Sequence, residues 1–465
     1  MNLLRFWFGF SQPVTARIYL RHGAGLMVVK YLVDATVTWS FTGHWWTPLD
    51  YTNPIWTARS QALGGVPPAV MLGLAVWTLP FLWIGLSMSL RRAVDAGKSP
   101  WVSLLFFVPL VNLLFMTALC ILPSVPKPAW SAAAARPVVD ERLKSAIQGL
   151  GAALAVTIPT VLLSVYFKRS YSIGLFLGTP FTIGWITAHV YNRGHPRTIG
   201  QTLQVVLISL LIASALLLLL AAEGAFCLAL AFPLAAVVAA LGALFGRAIA
   251  IQGETPPSGT GLAALLAPLL VLAEPRQPPP THEVLTTIEI AAPPETVWRN
   301  VVSFPDLPPP TETVFRIGVA APLRARIVGH GVGAVRYCDF TTGSFVEPIT
   351  TWEENHRLGF DIVRQAPPMR EWSPYRDINP PHLDGYFRAT HGEFRLIPLP
   401  DGRTRLEGRT TYQVEMAPQG YWSVAAERIV SAIHLRVLRH IRTLAEARQL
   451  PRSEPSSGSS RRQAR

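Results

Sequence analysis

The chain has 465 residues, half of them hydrophobic and only 15% charged, which is too apolar for an ordinary water-soluble protein and long enough for two or three domains. Its net charge of +13 is uneven: residues 1–280 hold 18 Lys and Arg against 8 Asp and Glu, and residues 281–465 hold 23 against 20. The excess surrounds apolar segments, as in the cytoplasmic loops of membrane proteins, so a nucleic-acid partner is excluded, and three scattered cysteines exclude a disulfide framework.

In chain order, Arg5, Arg17 and Arg21 stand among aromatics with no small-residue cleavage site, so no signal peptide is expected. About 20 apolar residues cross a bilayer, and seven such spans are expected, at 24–42, 68–90, 100–122, 147–167, 173–191, 203–222 and 225–246. Lys30 and Asp34 fall inside the first, four residues apart, where they can pair on one helix face. The organisation expected is a membrane module over 1–125, a linker over 126–146 and a second helical module over 147–250. A linker over 251–282 follows, then a soluble domain over 283–448 and a disordered tail over 449–465. The apolar stretch 261–273 is too short to span and is expected to lie in the interface or cover part of the bundle.

Arg91, Arg92, Lys98, Arg193, Arg197 and Arg247 mark cytoplasmic ends, Glu223-Gly224 reads as an outer turn, and the soluble domain is therefore expected in the cytoplasm of a bacterial inner-membrane protein. One conflict remains. If 100–122 crosses fully, Lys127, Arg136, Arg142 and Lys144 fall outside; a re-entrant segment broken near Pro109 and Asn112 would resolve it.

The stretch Arg91-Arg92-Ala-Val-Asp95-Ala-Gly97-Lys-Ser99-Pro-Trp101, followed by an apolar segment ending Leu122-Pro123, resembles the bacterial inner-membrane family called domain of unknown function 805. Val94 and Val102 depart from the His and Trp usual there, and the family brings no established chemistry. Physically, Asp95 is placed to accept hydrogen bonds from Arg91 or Arg92, or to cap the next helix.

Beyond residue 281 the periodicity changes. A strand at 285–292 puts Ile288 and Ile290 on one face, and Pro293-Pro294-Glu295 opens a helix through Val297, Trp298 and Val301. Strands follow near 325–330, 333–340, 344–353 and 357–364. Two long ones, 385–399 and 404–416, are joined by the turn Pro400-Asp401-Gly402. A final helix over 419–448 carries the apolar stripe Trp422, Ala426, Ile429, Ile433, Val437, Ile441 and Leu444. This strand–Pro–Pro–Glu–x–Val–Trp opening and its meander resemble the START-like, or SRPBCC, superfamily that includes polyketide cyclase/dehydrase-type domains. The resemblance implies an α+β helix-grip fold, a curved antiparallel sheet around a long C-terminal helix, with a ligand held between them.

Polar residues on inward faces are then the candidates. Glu347 and Arg388 could anchor a ligand headgroup or form a buried salt bridge, and Tyr412, Trp422 and His434 line the interior beside them. Alternation groups His391 with Glu393 and sets Arg388 on the opposite face; the pair is either a general acid and base or an outward cross-strand pair. The long Pro-rich loop 366–381 is either a lid or a packed surface loop. Metal-ligand spacing, phosphate-binding loops and nucleophile elbows are absent from the sequence, and no cofactor or metal is expected. The function expected is a membrane-anchored binding protein for a lipid or other hydrophobic small molecule, with the bilayer as its other partner. A cyclase, dehydratase or hydrolase acting on a hydrophobic substrate, and a transport or membrane-assembly component regulated by the soluble domain, are the alternatives.

Overall fold

The computed structural model describes residues 3–10, 12–52, 66–107, 111–125, 140–252, 258–275, 278–375 and 378–447. The expected tail 449–465 and most of the expected linker 126–146 lie outside these residues. The chain divides into two compact units. The helical unit takes residues 1–277 together with Glu371–His382 and Met416–Pro418; the second takes the rest of the chain from Pro278.

In the helical unit, α1 is Leu3–Phe8, α2 Ala16–Thr42 and α3 Pro68–Asp95. Within α2, Lys30 bonds Asp34, whose Oδ2 also accepts the Tyr51 hydroxyl at 2.6 Å. The ionisable pair is thus neutralised locally, which lowers the cost of holding it in an apolar helix. Arg91 and Arg92, both fully buried at the end of α3, act as stitches. Arg91 donates to the carbonyls of Phe6 at 2.8 Å and Gln12 at 3.2 Å, tying down the N-terminal segment. Arg92 donates to the carbonyls of Leu119 and Leu122 and to Asp95 at 2.8 Å.

Those last bonds decide the course of 100–122. It forms a 3₁₀ segment, Pro100–Phe107, and a short helix α4, Val111–Ile121. At its far end Val125 N–H bonds the Asp95 carbonyl at 2.9 Å and Ser124 bonds the Asp95 carboxylate at 2.6 Å. The C-terminal end of α4 therefore lies beside the C-terminal end of α3. A helix of 11 residues is only about 16 Å long, about half a hydrocarbon core.

The next helices are α5, Glu141–Leu162, extended by a π turn to Phe167; a π turn Gly174–Gly178 leading into α6, Thr179–Asn192; α7, Ile199–Leu219; α8, Ala225–Ile251; and α9, Ser258–Ala273. Asp140 caps α5, and a Thr198–Gln201 capping box opens α7, each satisfying helix-end N–H groups that apolar surroundings would leave unpaired. Among the described residues, Glu141–Phe167, Ile199–Leu219 and Ala225–Ile251 are long and apolar enough to cross a membrane. The seven spans expected are not shown, and 100–122 is not one of them.

Packing of α6 on α8 depends on small residues. A Cβ added at Gly184 would collide with the Ala239 carbonyl, at Gly242 with the Phe181 carbonyl, and at Gly246 with the Trp185 carbonyl. Helices that approach this closely gain van der Waals contact, the main attraction between helices in lipid. Gly246→Val should force α6 and α8 apart and cost about 1–3 kcal/mol, the usual range for overpacking. A lowered thermal-aggregation midpoint in detergent checks this; an unchanged midpoint would show that the seam tolerates extra volume.

Of the two placements expected for 261–273, in the interface or over part of the bundle, the packing observed is the second. α9 packs antiparallel to the Gly174–α6 stretch: Gly174 faces Val271 and Gly178 faces Ala267. Its C-terminal end is fixed by Lys168 donating to the Val271 carbonyl at 2.7 Å and by Glu274 accepting Ile173 N–H at 3.0 Å. Tyr171 and Glu223, bonded at 2.5 Å, place the α7–α8 turn at this same end.

The second unit is a seven-stranded antiparallel sheet in the order β1-β7-β6-β5-β4-β3-β2. Its strands are β1 Thr281–Ile290, β2 Pro322–Val328, β3 Val335–Phe340, β4 Gly343–Glu353, β5 Arg357–Asp361, β6 Phe387–Pro398 and β7 Thr404–Val414. Helices α10, Pro294–Val302, and α11, Thr313–Arg316, follow β1, and the long α12, Gln419–Ala447, closes the chain. The C-terminal half of α12 buries Val437, Leu438, Ile441 and Ala445 against Ile290, Trp298, Ile349, Leu358 and Leu406. This is the helix-grip arrangement that the alternation predicts.

Candidate functional site

The inward face of β7 runs Leu406, Gly408, Thr410, Tyr412 and Val414, all buried or half-buried, as the sequence pattern predicts. Two stretches of interior lie between this face and α12, and they differ in chemistry. The first is the core cluster around α10 and the C-terminal half of α12. Set into it is an ion pair: Arg336 on β3 faces Glu347 on β4, and the two side chains are hydrogen-bonded and buried. The guanidinium is enclosed by the rings of Phe304, Phe360 and Phe394 at 5.8, 5.1 and 5.6 Å. Burial raises the Glu347 pKa, and Arg336 opposes that rise.

The second stretch lies under the N-terminal half of α12, where Tyr412, Trp422, Ala426 and Val430 are buried outside the core cluster just described. His434 reaches across from α12 to the sheet and bonds Thr410 on β7 at 2.7 Å and Thr286 on β1 at 3.1 Å. Burial lowers its pKa to about 4, so at neutral pH one ring nitrogen donates and the other accepts. Tyr412 donates to the Ser423 carbonyl at 3.4 Å and stacks near His282 and Phe387 at 5.5 Å each. Burial, reinforced by Glu427, holds its phenol above the usual value, so it remains a donor. The result is a buried aromatic stretch of interior with a neutral imidazole and a phenol beside it.

Two sequence expectations are corrected here. Arg388 does not meet Glu347: it is exposed on the outer face, opposite Gln413 on β7. A β-bulge between Ala389 and His391 inserts one extra residue, so the alternation counted back from Glu393 slips before it reaches 388. Glu347's partner is Arg336, a residue the sequence reading passed over. The signal was available, since a hairpin centred on Thr341-Thr342 puts 336 opposite 347. His391 and Glu393 do share the outer face, but not with each other. His391 bonds Asp361 at 2.8 Å and Glu393 bonds Arg357 at 2.7 Å.

Arg436, also unremarked in the sequence, is buried on the other side of α12. It bonds the Pro308 carbonyl and, at 3.2 Å, Glu312, fixing the loop before α11. A cleft of about 700 Å³ nearby is lined by Asp306, Leu307, Arg324, Asp339 and Ser344, not by the residues under the N-terminal half of α12.

The loop 366–381 is packed in its second half. Glu371–His382 belongs to the helical unit. There the Trp372 carbonyl accepts Ala225 N–H at 2.8 Å, and Tyr375 donates to the Leu219 carbonyl at 2.7 Å. Glu371 accepts Phe226 N–H at 3.1 Å and Cys227 N–H at 3.2 Å, where a carboxylate meets the positive end of α8. His382 stands between Glu371 and Glu223. Burial works against its charge, but the bonds and charges of Glu223 and Glu371 outweigh it and raise its pKa to about 9.

Comparisons with known proteins agree with this division. Residues 17–130 match the family described as "Protein of unknown function (DUF805)", and residues 281–446 match "Polyketide cyclase / dehydrase and lipid transport". No curated protein matches the chain. Among solved structures, norcoclaurine synthase from Thalictrum flavum is 13% identical and aligns over 37% of this chain and 97% of its own, with a TM-score of 0.25. The ZhuI aromatase/cyclase from Streptomyces sp. R1128 is 15% identical over 36% of this chain and 96% of its own, at 0.25. Protein MLL2253 from Mesorhizobium loti is 16% identical over 36% of this chain and 100% of its own, at 0.24. The chain thus joins a helical region that matches the DUF805 model to a C-terminal domain that matches the polyketide cyclase/dehydrase model.

Proposed function

We propose that this protein is a membrane-anchored binding protein that takes a lipid or similar hydrophobic small molecule into the slot under the N-terminal half of α12. The observation that carries this is the His434 clamp with Tyr412 and Trp422: an apolar, aromatic interior with a few fixed polar groups, the usual make-up of a small-molecule site. The Tyr412 hydroxyl orients a polar end of the ligand, His434 holds the wall in place through its two threonines, and Trp422, Ala426 and Val430 cover the apolar part. Glu347 is committed to Arg336 and is not open to a ligand. A catalytic reading has less support, because His391 and Glu393 face outward on separate partners and His434 is engaged at both nitrogens.

The test is displacement of a fluorescent fatty-acid probe from the full-length protein in detergent. Ala426→Trp fills the slot and should abolish saturable binding, and Tyr412→Phe should weaken it about tenfold, the loss of one hydrogen bond. Equal affinity in Ala426→Trp would show that ligand does not enter there.

The course of the helices supports a sidedness opposite to the cytoplasmic one expected from sequence. A re-entrant 100–122 leaves Arg142 and Lys144 on the side of Arg91 and Arg92, so the parity conflict disappears. α9 adds a further pass, and the chain leaves the bundle at Glu274, at the end of the Glu223 turn and away from Arg193, Arg197 and Arg247. With the arginine-rich end inside, the domain stands on the outer face of the inner membrane. Val332, an exposed residue, supplies the check: Val332→Cys should react with a membrane-impermeant maleimide in intact spheroplasts. Labelling only after lysis would restore the cytoplasmic assignment.

A further inference from the structure

We infer that Glu223, Cys227 and His382 form a binding site for one divalent metal ion of the zinc class, with Glu371 holding the histidine from behind. One ligand atom from each of the three lies within 4.8 Å of the other two, and all three residues are buried. They come from the α7–α8 turn, the first turn of α8, and the far end of the segment Glu371–His382.

The donor atoms sort themselves without ambiguity. The Glu223 Oε1 atom is taken by the Tyr171 hydroxyl at 2.5 Å. His382 Nε2 is bonded to Glu371 Oε1 at 3.0 Å. Glu371 is in turn anchored by two backbone N–H groups of α8, and an added Cβ at Gly224 would strike its carboxylate, so glycine is required for this approach. What remains is Glu223 Oε2 and His382 Nδ1, which pair with one another at 2.9 Å and have no further hydrogen-bond partner. Both side chains are more than nine-tenths buried. Two buried polar atoms with no further partner and a thiol within 4.8 Å of both make up a donor set of the size a single cation bridges.

The remaining contacts fit the way proteins support metal-bound histidine. A ligating imidazole donates its second N–H to a carboxylate, which fixes the tautomer and raises its basicity. Here that carboxylate is Glu371. Thiolate, imidazole and carboxylate together suit Zn²⁺ and Co²⁺ better than Mg²⁺ or Ca²⁺, which prefer oxygen. Zn–N and Zn–O of about 2.0–2.1 Å put these two tetrahedral donors roughly 3.3 Å apart. The imidazole and the Glu223 carboxylate therefore have to separate by about half an ångström on binding. On loading, the thiol of Cys227 and any proton on His382 are released, because only their deprotonated forms ligate. The ion would replace a proton as the charge between two buried carboxylates and would clamp Glu371–His382 to the α7–α8 turn.

The experiment uses the full-length protein in detergent, stripped with chelator and titrated with Co²⁺. The expected result is one Co²⁺ per chain, with d–d bands and a thiolate charge-transfer band that Zn²⁺ displaces. Cys227→Ser should lose the charge-transfer band while keeping its circular dichroism spectrum. Glu371→Gln should retain one site but bind about 10- to 100-fold more weakly, the range for lost second-shell partners. Since His382→Ala leaves two buried carboxylates facing each other and need not fold, His382→Gln is the companion variant, expected to bind no metal. A folded wild-type protein that takes up no Co²⁺ would overturn the proposal and leave a protonated histidine as the clamp. Undiminished charge-transfer absorption in Cys227→Ser would overturn it equally.

Discussion

Glu347→Ala should lower the stability of the C-terminal domain by about 3–5 kcal/mol, the cost of leaving a buried charge without its partner. Arg336 is 2% exposed and enclosed by three aromatic rings, so no water replaces the lost carboxylate. Removing both charges is a different matter. Arg336→Met combined with Glu347→Leu keeps the volume, removes the desolvation cost of two ions, and should come within about 1 kcal/mol of the parent or exceed it. Denaturant unfolding followed by near-ultraviolet circular dichroism of the four proteins of this cycle measures the coupling. If the single and double variants were equally destabilised, the pair would matter for its shape and not its charge.

Acid should unfold the same domain through His434. Its pKa falls from 6.5 to about 4 on folding because burial disfavours the imidazolium. The unfolded chain therefore binds a proton that the native state refuses. The contribution is fully present above pH 6.5 and is lost as pH falls from there through 4, and it amounts to about 3 kcal/mol. Unfolding free energies measured across that window should fall with this slope in the parent and be flatter in His434→Gln, which keeps a donor and an acceptor for Thr286 and Thr410 but does not titrate. Parallel curves for the two proteins would place the acid sensitivity elsewhere.

These two sites show what the sequence could and could not disclose. Strand alternation, Pro293-Pro294 at the start of α10 and the Pro400-Asp401-Gly402 turn are local signals, and the strands and α12 appear within a few residues of where those signals put them. Pairings across strands were harder. The Arg336–Glu347 contact follows from hairpin symmetry about 341–342, but the misassignment of Arg388 came from a bulge that leaves no mark in the side-chain pattern. The membrane half was legible as hydropathy and not as path. The return of α4 to the end of α3 is written in bonds from Arg92 to Leu119 and Leu122, and the packing of α9 against the Gly174–α6 stretch rests on contacts that hydropathy does not carry. The Glu223–Cys227–His382 cluster was least legible of all, since its histidine lies 155 residues from the cysteine and no spacing rule reaches that far.

Hydrophobic-ligand binding by the C-terminal domain is the central claim, and native mass spectrometry of the full-length protein released from lipid nanodiscs tests it most directly. The full chain is needed, because Glu371–His382 packs with the helical unit and would lose its partners in an isolated domain. The account predicts a reproducible apolar adduct, one per chain, that is identified by extraction and is missing from Ala426→Trp. A parent protein that carries no adduct and takes none from a panel of lipids and aromatic polyketide-like compounds would contradict it.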